Sequence, residues 1–281
     1  MAELVWVTWD GAGNLPPQRS LVAALRARGH RVRVLAHESL REVLARDDLD
    51  CLPVRGLRHY DSKEALAPED EMPFVVEHIW YARPFGAALL AAVEERRPDG
   101  LLIDVCLTSA LVAARGTGLP TAVLGHFPYQ ILLGPFAPLA ASRLEETNAY
   151  ARELGVAPFA SHQALIEAAS LVLVPTYRSF DEVEAPAPHV MHVGPCRSGH
   201  EGGEPWRRRV PGLPLVLVGL STSNQHQVGL LQRLCDALAT LDVEAVVTTG
   251  AAIDPDELRA GANTSVVRFV AHDLILPATD L

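Results

Sequence analysis

The chain has 281 residues, 49% of them hydrophobic, and a formal net charge of −10. That length suits two domains of ordinary size with a sizeable core. The negative balance excludes a nucleic-acid partner, whose phosphates need a basic face, and the one basic cluster, Arg207-Arg208-Arg209, reads as a solvated linker. No apolar run reaches the roughly 18 residues of a membrane span, and the start Met1-Ala2-Glu3-Leu4-Val5-Trp6 lacks the basic region of a secretory leader. The expectation is a cytoplasmic protein with no integral membrane segment. Cys51, Cys106, Cys196 and Cys235 are scattered and the histidines lack ligand spacing, so neither a redox motif nor a metal site is expected.

In chain order, Leu4–Trp9 is a short β-branched and aromatic run, the pattern of a buried strand. A glycine-bearing turn follows, then an amphipathic helix over 20–28 that ends at Gly29, and a second strand over 31–37. Strand, helix and strand within about 35 residues make a βαβ unit, with parallel pairing and a right-handed crossover. The pattern recurs: strands over 99–104, 120–124, 170–175 and 190–194, and a helix over 107–115. Near-continuous apolar strands alternating with helices predict a parallel sheet covered on both faces. Two stretches look less regular, 55–96 with its concentration of aromatics and 126–168 with a helix over 139–154. Residues 196–212 form a linker rich in Gly, Pro and charge. A second strand–helix–strand–helix–strand series begins at 213, and it reaches Leu281 where another buried strand is due. The domains are therefore set at 1–195 and 213–281, the second expected to be only the first part of a domain. An incomplete sheet exposes an apolar face and an unpaired edge, so a possible homodimer or poor solubility is anticipated.

Gly11-Ala12-Gly13-Asn14-Leu15-Pro16 opens like a dinucleotide turn, but a third glycine is required where Pro16 stands. Proline offers no N–H and no close helix packing there, which removes the NAD reading. In an open parallel sheet ligands bind beyond the carboxyl ends of the strands. Asp10 and Asn14 follow the first strand, Asp104 closes the strand over 99–104, and His126 follows the next one. These polar groups would converge on one edge. Taken singly, each also fits a turn or cap residue bonded to its own backbone.

The runs Trp9–Pro17 and Leu21–Val32, the latter containing Leu25-Arg26-Ala27-Arg28-Gly29-His30-Arg31-Val32, resemble the N-terminus of bacterial natural-product glycosyltransferases of the GT-B class. Pro98–Asp104 and Ala113–Pro120 are similar to that family's fourth strand and following helix. Val218–Ser223, Val246–Gly250 and Val267–Pro277 are similar to three later landmarks, in order. The resemblance covers essentially the whole chain. It implies an α/β, GT-B-like fold: a complete N-terminal Rossmann-like domain that binds acceptor and a partial C-terminal one that binds the nucleotide sugar. It also implies an inverting, metal-independent transfer from a UDP- or dTDP-sugar co-substrate, without a cofactor, to a small lipophilic natural-product acceptor in antibiotic biosynthesis. The alternative is a non-catalytic, truncated binding or partner protein of the same ancestry.

Aligned on Gly13, Asn14 occupies the family's base position, where His or Asp usually stands. An amide cannot take a proton near neutral pH, so Asn14 orients or polarises. Asp104 matches the aspartate that normally orients the histidine. The catalytic candidates are therefore Asp10, Asp104 and Asn14, with burial expected to raise the carboxylate's pKa toward that of a useful base. Ser221, Thr222, Thr249, Gly250 and Val270 are the donor-side candidates, although Ser221 replaces a glycine and Ala271 a proline. The glycine-rich diphosphate turn and the Asp-Gln pair of the family are expected beyond Leu281. Phe74, His78, Trp80, Tyr81, His126, Phe127 and Tyr129 are candidates to line the acceptor pocket, with ordinary core packing as the competing reading.

Overall fold

The computed structural model describes residues 1–64, 66–183, 186–196, 204–221 and 223–281. It divides into two compact units: Met1–Asp10, Asn14–Tyr60 and Glu71–Arg197 make the first; Gly11–Gly13, Asp61–Asp70 and Ser198–Leu281 make the second.

In the first unit seven strands form one sheet: β1 (Glu3–Val7), β2 (Arg31–Ala36), β3 (Cys51–Pro53), β4 (Gly100–Asp104), β5 (Thr121–Leu124), β6 (Leu171–Val174) and β7 (Val190–His192). Their order is β3-β2-β1-β4-β5-β6-β7, and every pairing is parallel. Side-chain alternation sends Val5, Val7, Leu101 and Ile103 into one core and Trp6, Val34, Leu102 and Leu124 into the other. Both faces are thus buried, which is why these strands read as continuous apolar runs. The second core is closed by helix α1 (Leu15–Ala27), which buries Leu15, Gln18 and Val22. The short helix α2 (Arg41–Ala45) adds Leu44 to it.

The stretch from 55 to 96 is more regular than its sequence suggests. A helix with Pro73 in its interior, α3 (Pro68–Val75), runs into a wider π-helical turn at Val76–Trp80. Then α4 (Arg83–Glu95) buries Phe85, Leu89 and Ala92, an i, i+4, i+7 stripe. It packs on α5 (Thr108–Thr117), where Gly86 admits the Ser109 carbonyl, 2.7 Å from where a Cβ would stand. The helix expected over 139–154 is two helices, α7 (Ala137–Ser142) and α8 (Leu144–Glu153), parted at Arg143 and preceded by α6 (Tyr129–Leu133). Helix α9 (His162–Glu167) leads into β6, with Ser161 accepting at its N-cap from Ala164 N–H. Strand β3 was not foreseen, since three residues ending in proline carry no periodicity. Proline is tolerated there because β3 is an edge strand.

The second unit holds three parallel strands in the order β10-β9-β8: β8 (Leu215–Gly219), β9 (Glu244–Thr248) and β10 (Thr264–Val267). Helix α10 (Val228–Leu238) places Leu231, Cys235 and Leu238 on one face against Ala245 and Val247. Leu215 and Val246 pack on the opposite side with Ile275 of α11 (His272–Ile275). Among the described residues no helix is long and apolar enough to cross a membrane.

Candidate active site

The strand order of the first sheet reverses between β1 and β4. The carboxyl ends of these two strands flank the crevice where open α/β sheets bind ligands. Asp104 is the last residue of β4 and is fully buried. The pleat places Trp6, Thr8, Asp104 and Leu124 on the α1 side of the sheet, and Asp104 therefore meets α1.

Its two oxygens have different tasks. Oδ1 accepts the Cys106 backbone N–H at 2.9 Å, the local turn bond expected of an aspartate after a strand. Oδ2 accepts the amides of Asn14, at 2.9 Å, and of Gln18. His126 Nδ1 lies 3.4 Å from the same oxygen, within ion-pair reach but without hydrogen-bond geometry. Burial by itself raises the Asp104 pKa, but the neighbouring His126, the Asn14 amide and the Cys106 N–H outweigh it, and the carboxyl is held below its ordinary value. The sequence expectation was a raised value. It is reversed because hydrogen-bond donors reach both carboxylate oxygens.

Asn14 reaches Asp104 for a local reason. It stands at the N-cap of α1, and an N-cap side chain ordinarily bonds the N–H of the second or third helical residue. Those residues are Pro16 and Pro17, which have no N–H. Asn14 makes no capping bond, and its amide donates instead to Trp9 O (3.0 Å) and to Asp104. Asn14 thus combines a local bond to its own loop with a long-range one to Asp104. Asp10 lies on the same loop, partly exposed.

Gln18 was not foreseen. It is wholly buried, and its Oε1 accepts from Trp6 Nε1 and Thr8 Oγ1, each at 2.9 Å, while its amide donates to Asp104. A glutamine between Leu15 and Val22 on the buried stripe of α1 was the available signal.

From His126 an aromatic series runs through the first unit. His126 meets Phe127 (ring centroids 4.4 Å apart), Phe127 meets Phe136 (5.7 Å), Phe136 meets Trp80 (5.4 Å) and Trp80 meets Trp9 (6.4 Å). Trp9 continues to Tyr60, Tyr60 to Phe74, and Phe74 to His78. The indole N–H groups of Trp9 and Trp80 are buried without a hydrogen-bond partner among the described residues. A cleft lined by Trp80, Tyr81, Cys106, Leu132, Phe136 and His162 leaves about 20 Å³ for the centre of a water-sized molecule, room for about one water. Burial pushes the Tyr81 hydroxyl up to about 12 and the His162 imidazole down to about 4.

The structure brings Phe74, His78, Trp80 and Phe127 into the aromatic series, while Tyr81 lines the cleft. Tyr129 is a correction. It is 1% exposed, its hydroxyl donates to Glu167 (2.7 Å) and its backbone N–H to Asp181 (2.7 Å). Its phenol is consumed in the core, at the start of α6, where Asp181 also accepts from Gln130 N–H and His192.

Asp104, Cys106 and His126 bring one possible ligand atom each to within 4.8 Å of one another. Burial first, and the Asp104 charge second, raise the Cys106 pKa far enough to keep it a thiol, and Oδ2 of Asp104 already accepts two amides.

In the second unit Ser221, Thr249 and Gly250 follow the paired ends of β8 and β9, where Gly219 registers with Thr248. Their polar groups bond within the unit. Thr249 is buried and its hydroxyl donates to Ile253 O (2.9 Å), Gly250 N–H goes to Arg268 O, and the Ser221 carbonyl accepts from Gln227 Nε2. Val270 packs on the core with Ile275. Thr222 lies outside the described residues.

No family model matches the chain, and no curated protein matches it. Solved structures do. The glycotransferase of kitacinnamycin superposes with a TM-score of 0.77 at 23% identity, over 99% of this chain and 74% of that one. CalG4, the calicheamicin glycosyltransferase, gives 0.75 at 16% identity, over 99% and 73%. The glycosyltransferase VinC, solved in complex with dTDP, gives 0.66 at 18% identity, over 99% and 74%. At these identities the likeness is one of fold, and the fold is the Rossmann-like α/β architecture of GT-B glycosyltransferases.

Proposed function

We propose that the chain acts as a metal-independent, inverting glycosyltransferase that moves a sugar from a nucleotide-sugar donor to a small lipophilic acceptor. The carrying observation is the buried Asp104 network at the switch point of the first sheet, set beside a continuous aromatic series. A fully buried carboxylate held by two side-chain amides is an expensive arrangement for a turn residue alone. The indole N–H groups of Trp9 and Trp80, without a partner among the described residues, favour a ligand that is flat and apolar but carries oxygen, since each buried donor left unmet costs about 1–3 kcal/mol. The free space at the cleft is narrow, so acceptor entry requires side chains such as Phe136 and Trp80 to move.

For the donor we place the nucleotide at the carboxyl ends of β8 and β9 in the second unit, near Ser221, Thr249, Gly250 and Val270. VinC, of the same fold, was solved with dTDP. The test is direct. The purified chain is mixed with dTDP-glucose or UDP-glucose and a panel of polycyclic phenols and alcohols, and nucleoside diphosphate release and sugar-bearing product are measured. Product with at least one pair is expected. Binding of acceptors without any turnover would favour the non-catalytic reading.

A further inference from the structure

We infer that His126, through Nε2, is the general base of this site, and that Asp104, Asn14 and Gln18 position it. The inference rests on the glycosyl-transfer reading above. Four observations carry it. First, Asn14 cannot take the proton: it is an amide already donating to Trp9 O and Asp104. Second, Asp104 is poorly suited to take it, being fully buried and holding three hydrogen bonds on its two oxygens. Third, Nδ1 of His126 faces Oδ2 of Asp104 at 3.4 Å. A bare ring lone pair facing a carboxylate is repulsive, so the neutral imidazole carries its proton on Nδ1 and its lone pair on Nε2. Fourth, among the described residues nothing bonds Nε2, the side chain keeps 13% exposure, and the ring begins the aromatic series against which a flat acceptor would lie.

The step balances without a co-reactant. The acceptor O–H proton passes to Nε2, and the oxygen's electron pair forms the bond to the anomeric carbon. The bond from that carbon to the diphosphate oxygen breaks, and its electron pair leaves with the nucleoside diphosphate. The imidazolium then returns its proton to water. Asp104 stays ionised throughout and steadies the charge on the ring, as an orienting carboxylate does in an acid–base pair. Asn14 and Gln18 fix its rotamer.

Two measurements decide the matter. The first needs no substrate: ¹⁵N spectra of the full chain labelled on histidine, with His126 assigned by its loss in His126→Gln. Of the two neutral tautomers the one protonated on Nδ1 is expected, and the one protonated on Nε2 overturns the assignment while leaving the transferase reading intact. The second uses dTDP-glucose with two acceptors, an aliphatic alcohol and para-nitrophenol in mildly alkaline buffer, where the phenol is already ionised. General-base help is worth about 10²–10⁴-fold, so His126→Gln should lower turnover of the alcohol by that order and of the phenolate by less than about tenfold. Equal loss with both acceptors, or no loss with the alcohol, also overturns it. A wild-type chain that transfers to neither of these acceptors nor to any of the panel above defeats the glycosyl-transfer reading, and the base assignment with it.

Discussion

The carboxyl ends of β4 and of β9 occupy matching places in two parallel sheets, and their polar residues behave in opposite ways. At β4, Asp104 gathers Asn14, Gln18 and His126 from sequence positions 22 to 90 residues away, and its Oδ2 accepts from side chains alone. At β9, the hydroxyl of Thr249 closes on carbonyls one and four residues ahead. A polar residue after a parallel strand is thus either a turn lock or a site residue, and only the destination of its hydrogen bonds separates the two. The first region adds long-range side-chain bonds to its local turn bonds, whereas the Thr249 hydroxyl stays within its own turn.

The strongest way to break this contrast is Asp104→Ala. It leaves the Asn14 and Gln18 amides and the Cys106 N–H facing a void, and breaking a buried charged network costs about 3–5 kcal/mol. Urea denaturation followed by tryptophan fluorescence should show that loss, whereas Asp104→Asn, which keeps an accepting oxygen, should lose clearly less. Equal losses would mean that the negative charge, rather than the hydrogen bonds, holds the site.

The second expected effect is a pH dependence from His162, beside the cleft. Its folded pKa is about 4 against an ordinary 6.5, so as pH falls below 6.5 the unfolded chain takes up a proton that the folded one refuses until about 4. Stability therefore declines through that window, by roughly 2 kcal/mol after allowing for the ring's residual exposure. His162→Gln should flatten the decline in melts at pH values spanning it. Asp104 acts lower on the scale. With its folded pKa below the ordinary value, its contribution is complete above the unfolded pKa and is lost only as pH falls through the folded one.

Gln18→Leu comes next. It strands the Trp6 indole and Thr8 hydroxyl as buried donors and frees one side of Asp104, at a cost of about 2 kcal/mol. Turnover should fall further than stability explains, because Asp104 regains rotational freedom; a variant with unchanged turnover would remove Gln18 from the site. The smallest effect belongs to the second unit. Thr249→Val removes one inward hydrogen bond, about 1 kcal/mol, and dTDP affinity measured by calorimetry should change less than twofold. A tenfold loss of affinity would show that Thr249 serves the ligand after all, and the contrast between the two strand ends would dissolve.

Much of the fold was legible before any coordinate. The strands β1, β2, β4, β5, β6 and β8 were located to within a few residues, because strands buried on both faces leave uninterrupted apolar runs bounded by Gly, Pro and polar turns. The α4 helix was obscured by the aromatics around it, although Phe85, Leu89 and Ala92 carried a helical spacing. At the site, Asn14, Asp104 and His126 were legible as residues following strands. Their direction was not, and the expected rise in the aspartate's pKa was the wrong sign. Tyr129 looked like pocket lining and proved to be core.

Sequence by itself determined the local terms: which segments become strands and helices, that Pro16 forbids a dinucleotide turn, and that Pro16-Pro17 deny Asn14 its own helix as a partner. Tertiary structure decided the rest. Whether a buried carboxylate is base or orienter depends on how many donors reach it. Those donors arrive from β1's loop, α1 and the end of β5, brought together by a strand order of 3-2-1-4-5 that no local pattern encodes. Desolvation and charge act through distances in space, and the 90 residues between Asn14 and Asp104 are reduced to 2.9 Å only by the parallel pairing of β1 with β4.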